Sequence, residues 1–384
     1  MFITLVFVFL FLNQHFTRFT IWFPLLLLPV WLFTAKPGAN SVWRNATLLP
    51  ARLWLALICY LASVLMASLI SPFRGVAVED LFRTFAGPLL IAVLAARVMC
   101  LDGAEHMLFR ALVWGGGFLA VTDVAHYVRD FVTLGQFPND FSHRWFSDGY
   151  IFYLPFLFLY RDTLVGRRRS ICNAGLFLIF TLVAGTGSRG SWGTILLEII
   201  FLWGLTRQRQ YLYDLALFGF AITIGLFALP YEMGEATLER GMSDNNRIIG
   251  HWLPALKMSF ASPSTLLIGH GYGREIWNTF HAHCDECGYK GPGLGGPHNV
   301  FLQALFAGGL AALASLIWLF AELGRLLLRC RGLQDEALRN LALGGFVAFA
   351  GFFLIAGQVC DPRPEPLAMF VLIAMLLHRR KSAA

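Results

Sequence analysis

Two arginines occupy positions where a positive charge suggests a ligand. Arg189 lies in the small-residue segment 185–190 between two apolar stretches, and Arg247 comes at the start of a helical pattern. An arginine at a membrane boundary is costly unless its charge is used, and a guanidinium matches phosphate oxygens with two parallel hydrogen bonds. We therefore expect a phosphate to bind here. The alternatives are that each arginine extends to lipid headgroups or pairs with a carboxylate such as Asp244.

His298 has the residue type and the position of a general base. It follows Pro297, and Asn299 separates it from an apolar stretch that begins at Val300. The positive end of a helix dipole disfavours the imidazolium form, so a neutral imidazole is available at about pH 7 to take a proton from a hydroxyl, such as that of a sugar. The alternative is a histidine that caps the helix or hydrogen-bonds a neighbour.

Cys284 and Cys287 form a CxxC pair shortly after His281 and His283. Four residues of these types can bind zinc. Outside the cytoplasm, however, paired cysteines more often form a disulfide, and free thiols are a third alternative. We expect the disulfide and no metal.

Aromatic side chains and one carboxylate complete the set of candidates. His270, Tyr272 and Trp277 have rings that can contact sugars, although aromatic residues beside a bilayer more often serve as interface anchors. Asp361 is a candidate for orienting a base or pairing with an arginine, and a surface ion pair with Arg363 is the alternative.

The elements that must position these residues are membrane helices. Of the 384 residues, 57% are hydrophobic and 14% are charged, and the mean hydropathy is +0.63, which excludes an ordinary soluble domain. The apolar runs approach the roughly 20 residues that a helix needs to cross hydrocarbon, without the alternation typical of barrel strands. We therefore predict an all-α, polytopic integral membrane protein with about twelve transmembrane helices. The runs lie near residues 2–13, 18–35, 52–71, 84–100, 108–126, 149–160, 171–186, 190–206, 211–229, 300–322, 340–358 and 364–378.

Lysine and arginine in the short loops predict the orientation of these helices. With the N-terminus inside, fifteen basic residues fall on the cytoplasmic side: Lys36, Arg44, Arg161, Arg167, Arg168, Arg169, Arg207, Arg209, Arg325, Arg329, Arg331, Arg339, Arg379, Arg380 and Lys381. The short outside loops hold fewer, among them Arg18, Arg74, Arg129, Arg144, Arg189 and Arg363. We therefore expect both termini in the cytoplasm. The net charge of +7 reflects this topology and attraction to anionic lipids, and does not indicate nucleic-acid binding.

The sequence divides into three parts. Residues 1–230 hold nine predicted transmembrane helices, residues 231–297 form one large periplasmic helical loop, and residues 298–384 hold three more helices and a cytoplasmic tail. In the loop, a helical spacing of apolar residues after a cap at Ser243 or Asp244 predicts an amphipathic helix lying on the bundle. These apolar residues are Ile249, Trp252, Leu253, Leu256 and Phe260. Pro263 is expected to end this helix, and the following glycines, Gly269, Gly271 and Gly273, to form a flexible turn.

Several common catalytic motifs are missing from the outside loops. They contain no HExxH, no GxSxG and no Walker motif, and no short outside loop holds a carboxylate cluster for a divalent metal. An enzyme that faces outside also has no obvious route to ATP or nucleotide sugars. We therefore expect a lipid-linked pyrophosphate as the activated donor, because arginine side chains can neutralise that leaving group without a metal or cofactor.

Several short motifs follow one another in order. They are Ser188-Arg189-Gly190 at a turn between spans, Arg247 followed five residues later by Trp252, Pro263 with Gly269, Gly271 and Gly273, and His298-Asn299 with nine residues before Gly309. This ordered set resembles the O-antigen ligase and polymerase superfamily. The resemblance covers roughly residues 180–315. The family pattern usually has Gly, Thr or Tyr shortly after the last glycine, whereas here Leu310, Ala311 and Ala312 follow.

The resemblance implies an inverting, metal-independent membrane glycosyltransferase of the GT-C type. Such an enzyme moves polymerised O-antigen from undecaprenyl pyrophosphate to a sugar of the lipid A core, at the periplasmic face of the bacterial inner membrane. Carried over to this sequence, Arg189 and Arg247 bind the donor pyrophosphate, and His298 activates or positions the acceptor hydroxyl. We expect this site between the loop and the bundle, with the loop helix as a lid and the inner-membrane lipid bilayer delivering both substrates.

Other functions fit the sequence less well. Within the superfamily, a polymerase tends to have two sizeable periplasmic loops, and a protein O-oligosaccharyltransferase often has a longer soluble C-terminal region. A transporter or flippase for a lipid-linked saccharide can also use intramembrane arginines, but it more often shows internal repeats and charges near the midplane. The single large loop and the clustering of outside charges at one face favour the ligase.

Overall fold

The chain folds into α-helices joined by short connections throughout the part that the structure describes. A computed structural model describes residues 50–85, 103–134, 144–228, 248–284, 296–328, 333–355 and 364–383. No strand occurs in these ranges. Together with four helices that are long and apolar enough to cross a membrane, this confirms the prediction of an all-α membrane protein.

The described helices follow one another in the order α1 to α13. They are α1 (Ala51–Ile70), α2 (residues 74–85), α3 (Ala104–Leu134), α4 (Arg144–Asp162), α5 (Gly166–Gly185), α6 (Arg189–Thr206), α7 (Gln210–Ala228), α8 (Leu253–Ser259), α9 (Pro263–Ile268), α10 (Arg274–Ala282), α11 (Val300–Leu327), α12 (Glu336–Ile355) and α13 (Pro364–Ala383). A π-helical turn, Ile248–Trp252, leads directly into α8.

Four of these helices are long and apolar enough to cross a membrane, namely α1, α3, α11 and α12. Within α7 and α13, the apolar stretches Gln210–Leu226 and Pro366–Arg379 are helical but shorter than these four helices. Nine of the predicted spans coincide with a described helix, whereas the spans near residues 2–13 and 18–35 and most of 84–100 lie outside the described residues. The count of about twelve transmembrane helices therefore stays a prediction.

The helices pack into two units. The first unit contains α3 to α7 and α12, and the second contains α1, α2, α8 to α11 and α13. The predicted division at residues 231–297 concerns membrane topology and stays a prediction.

In the first unit, α4 forms the centre. Residues 150–159 are buried without interruption. Its neighbours α3 and α12 approach closely because glycines face it, and a Cβ atom added at Gly116 or Gly344 would press on Leu157 or Phe156. Small residues at such contacts let membrane helices pack backbone to side chain.

In the second unit, α11 packs along α1 and is interrupted at Gly308 and Gly309, whose backbone angles are not helical. The loop helices α8 and α9 lie against α11. Buried residues of the loop, of α2 and of α11 form one apolar cluster that fixes the loop in place: Ala77, Ala255, Met258, Ile276, Trp277 and Phe306.

The predicted amphipathic loop helix differs from the helices that form. Its proposed caps, Ser243 and Asp244, lie outside the described residues, and the helix α8 ends at Ser259. Pro263 begins α9 instead of ending α8, because Ser262 caps the new helix and proline is tolerated in a first turn, where its missing N–H has no helical partner. Ser262 and Thr265 form a reciprocal capping box, so the residues around Pro263 start a helix.

Candidate active site

Arg189 lies at the first residue of α6, after a tight turn that is held by side-chain hydrogen bonds. The Thr186 hydroxyl donates to the Val183 carbonyl oxygen at 2.7 Å and accepts from the Ser188 amide at 3.3 Å. Gly187 has a φ of 63°, which glycine adopts without strain. The Trp192 indole also donates to Val183 at 2.9 Å, so both sides of the turn are tied together.

A cluster of buried serines links this turn to α4. The Ser191 hydroxyl donates to Asp148 Oδ1 at 2.8 Å and lies 2.9 Å from the hydroxyl of Ser188, the residue just before Arg189. The Ser147 hydroxyl lies 3.2 Å from Ser191. The cluster therefore joins the first turn of α4 to the first turn of α6, and sequence reasoning missed it because its members are far apart in the chain.

The Arg189 side chain itself is exposed. Within the described residues it makes no hydrogen bond or ion pair. The first amides of α6 and the positive end of the helix dipole add to its charge. The arrangement is therefore suited to an anion such as a phosphate.

His298 belongs to the second unit, immediately before the start of α11. Its φ of 48° is left-handed, which is uncommon for any residue other than glycine. Asn299 is the N-cap of α11, and its side-chain oxygen accepts from the amides of Phe301 and Leu302 at 3.0 and 3.1 Å. Asn299 thus has a structural task that accounts for its position, whereas the strained backbone at His298 is a feature that concentrates at functional sites.

A second histidine, which sequence reasoning missed, supports His298. His251 lies in the π-helical turn and is buried, and its Nδ1 donates to the Gly296 carbonyl oxygen at 2.9 Å. The rings of His251 and His298 pack edge to face with their centroids 4.5 Å apart. The available signal was local, since His251 directly precedes Trp252 of the recognised motif.

The glycine turn of the loop docks into the interruption of α11. The amides of His270 and Gly271 donate to the carbonyl oxygens of Phe306 and Ala307 at 2.8 and 3.0 Å. A Cβ atom at Gly309 would overlap the backbone of α9. The motif spacing between His298 and Gly309 therefore has a physical meaning, because it places the break in α11 where the loop enters.

The aromatic candidates of the loop are used in packing. Tyr272 is buried against Phe85 at a centroid distance of 5.5 Å, and Trp277 is buried against Phe306. The His270 ring stacks on Phe306, and burial lowers the pKa of His270 below its ordinary value. A sugar-binding role for Tyr272 stays a prediction.

Trp252 is half-buried, and its indole nitrogen has no hydrogen-bond acceptor within the described part of the chain. Two of the predicted site residues, Arg247 and the supporting candidate Asp361, lie outside the described residues. Cys284 is disulfide-bonded, and its predicted partner Cys287 also lies outside them. Across the described ranges, no three histidine, cysteine or acidic side chains are grouped as a metal would require.

Comparison with known proteins gives one informative relative. No protein-family model matches the chain. An O-antigen ligase from Salmonella typhimurium strain LT2 is 23% identical over an alignment 322 residues long, which covers 76% of this chain and 74% of the relative. This similarity extends well beyond the motifs between residues 188 and 309, and it supports the assignment of the chain to the O-antigen ligase family.

Proposed function

We propose that this protein is an O-antigen ligase. It transfers polymerised O-antigen from undecaprenyl pyrophosphate to a sugar of the lipid A core during lipopolysaccharide assembly, at the periplasmic face of the bacterial inner membrane. The similarity to the Salmonella enzyme over about three quarters of both chains supports this proposal. The observation that carries it is His298, held in a strained conformation at the start of α11 at the histidine position of the family motif.

In the proposed reaction, His298 takes the proton from the acceptor hydroxyl. The hydroxyl oxygen then attacks the anomeric carbon of the donor sugar from the side opposite the pyrophosphate, which inverts the configuration. The bond between the anomeric carbon and the pyrophosphate oxygen breaks, and its electron pair stays on undecaprenyl pyrophosphate. Arg189 and Arg247 stabilise the charge that develops on this leaving group, so no metal or cofactor is needed.

His251 contributes by holding the base. Its hydrogen bond to Gly296 fixes the turn that precedes His298, and its ring edge limits the positions open to the His298 ring. A base must lie within hydrogen-bond reach of the proton that it removes, so a fixed ring favours transfer.

The experiment is complementation of a bacterial strain that lacks its ligase. We expect the wild-type gene to restore lipopolysaccharide with long O-antigen chains, and the His298→Ala variant to be expressed in the membrane without restoring them. A polymerase would instead change the length of the lipid-linked polymer, and a protein O-oligosaccharyltransferase would place sugars on proteins. Export of donor without any transfer would indicate a flippase, and each of these three results would overturn the proposal.

A further inference from the structure

We propose that the loop helices α8 and α9 are embedded in the bilayer and that their exposed apolar face binds phospholipid acyl chains. The leaflet is the one that surrounds the N-terminal end of α11, which the predicted orientation makes the periplasmic one. This inference concerns the placement of the loop in the membrane and does not depend on the proposed function.

The first observation is the apolar face itself. Ile249, Leu253 and Phe260 recur at helical spacing, and their exposed fractions are 48%, 41% and 61%. The opposite side of α8 carries the buried residues Ala255 and Met258, which pack toward α11. The predicted apolar stripe therefore points away from the protein, and an apolar face of this size in contact with water is unfavourable.

The second observation is the depth at which α9 lies. The backbone of Leu267 and Ile268 packs directly on Gly309. Gly309 comes nine residues after Val300, which corresponds to about 14 Å along α11 at about 1.5 Å per residue. The loop thus reaches well below the start of a helix that is apolar and long enough to span the membrane.

The neighbouring helix α1 gives a second, smaller depth. Gly308 packs against Val64, six residues before the end of α1 at Ile70 and therefore about 9 Å inside that end. The 20 residues of α1 are about 30 Å long, which is the thickness of the hydrocarbon core. Measured along α1, the level of α9 consequently falls about 9 Å inside the hydrocarbon region.

The third observation is that the loop backbone is hydrogen-bonded as a membrane requires. The amides of His270 and Gly271 bond to carbonyl oxygens in the break of α11. In the capping box, the amides of Ser262 and Thr265 each donate to the hydroxyl oxygen of the other residue. Irregular backbone at membrane depth is tolerated only where protein groups satisfy it.

The exposed apolar surface continues from the spans onto the loop, and this identifies what covers α8 and α9. Exposed apolar side chains of α1 and α11 border the same region, including Ile70 and Leu310, the residue that follows Gly309. Leu267, 59% exposed, extends this surface from the spans onto the loop. The material that covers the outer surface of the spans therefore also covers α8 and α9, and that material is the acyl-chain layer of the bilayer.

The test uses the full chain with one residue replaced by a fluorescent non-natural amino acid, at Phe260 or at Leu267. Each variant is reconstituted in vesicles of phosphatidylethanolamine and phosphatidylglycerol, with and without bromine atoms on the acyl chains. We expect brominated chains to lower the emission at both positions by about twofold, and iodide added to the water to leave it unchanged. Glu275, an exposed residue on α10, is the matched control position, where iodide quenches and brominated chains do not.

Two results would overturn the inference. Quenching by iodide alone at Phe260 and Leu267 would place the helices in water. Emission that neither quencher changes would show that protein covers the face, either a second copy of this chain or another partner. Variants are used only if they elute as a single species in detergent, and Leu256 on the same face provides a third position if one of the others fails to fold.

Discussion

Arg161 and Arg189 lie at opposite ends of the first unit, and their surroundings differ in almost every respect. Arg161, near the end of α4, is fully buried, and its guanidinium donates to both carboxylate oxygens of Asp214 at 2.7 Å. It also contacts Asp162 and lies over the rings of Phe158 and Tyr211. Arg189, at the start of α6, is exposed and has no partner in the described ranges.

The comparison separates two uses of the same side chain. At the Arg161 end, the polar network is closed, since the Tyr211 hydroxyl donates to Asp162 at 2.6 Å and Asp162 also accepts from Arg161. At the Arg189 end, the network of Ser191 and Asp148 holds the turn but stops at the residue before the arginine. A guanidinium whose three nitrogens all donate to carboxylates holds helices together, whereas one presented on a rigid turn is available to a ligand.

The largest expected effect is on stability at the Arg161 end. Arg161→Ala leaves Asp214 buried without its partner, and we expect the free energy of unfolding to fall by about 3–5 kcal/mol. Thermal unfolding of the purified protein in detergent measures this loss. The double variant Arg161→Met with Asp214→Leu removes both charges and should recover much of it. A single variant as stable as the wild type would show that the network is not structural.

The next effect is on transfer at the Arg189 end. Arg189→Ala is expected to lower the rate of O-antigen transfer by roughly 10²–10³-fold, the usual scale for one lost charge-stabilising contact. Its thermal stability should match that of the wild type, because the side chain is exposed. Arg209→Ala, at an exposed arginine near the other end of α6, is the control and should transfer normally. Equal losses in both variants would mean that Arg189 acts only through general surface charge.

A smaller effect is expected from the serine cluster that positions Arg189. Ser191→Ala removes the hydroxyl that joins Asp148 to Ser188, and we expect the KM for the lipid-linked donor to rise roughly tenfold while kcat changes little. Ser191→Thr keeps a hydroxyl and should restore part of the donor affinity. The control is Thr194→Ala, since among the described residues the Thr194 hydroxyl bonds only to Gly190 of its own helix. A fall in kcat with an unchanged KM would contradict a positioning role.

The sequence predicted some of these features and not others, for physical reasons. Arg189 was recognisable because a charged residue in a small-residue turn is a local pattern. The partner of Arg161 was not, since Asp214 lies 53 residues away and only packing brings the two together. Helical spacing likewise predicted an apolar stripe on the loop, but period alone does not say whether that stripe faces protein or lipid.

The smallest effect is expected at Glu198, which lies on α6 between the two ends. Its side chain is fully buried against Gly351, and its carboxylate oxygens have no hydrogen-bond partner within the described residues. Burying an unpaired charge would cost far more free energy than the packing of this side chain gains. We therefore expect the carboxyl to be uncharged and to act through its shape. Glu198→Gln should therefore change the free energy of unfolding by less than about 1 kcal/mol.

Thermal unfolding and transfer measured on the same preparation check this expectation. Gly351→Ala is the steric counterpart, because its new Cβ would overlap the Glu198 carboxyl, and we expect it to cost about 1–3 kcal/mol. A loss of transfer in Glu198→Gln, at unchanged stability, would mean that a carboxyl proton deep in the unit takes part in function. Function would then depend on the middle of α6 as well as on the Arg189 end of the unit.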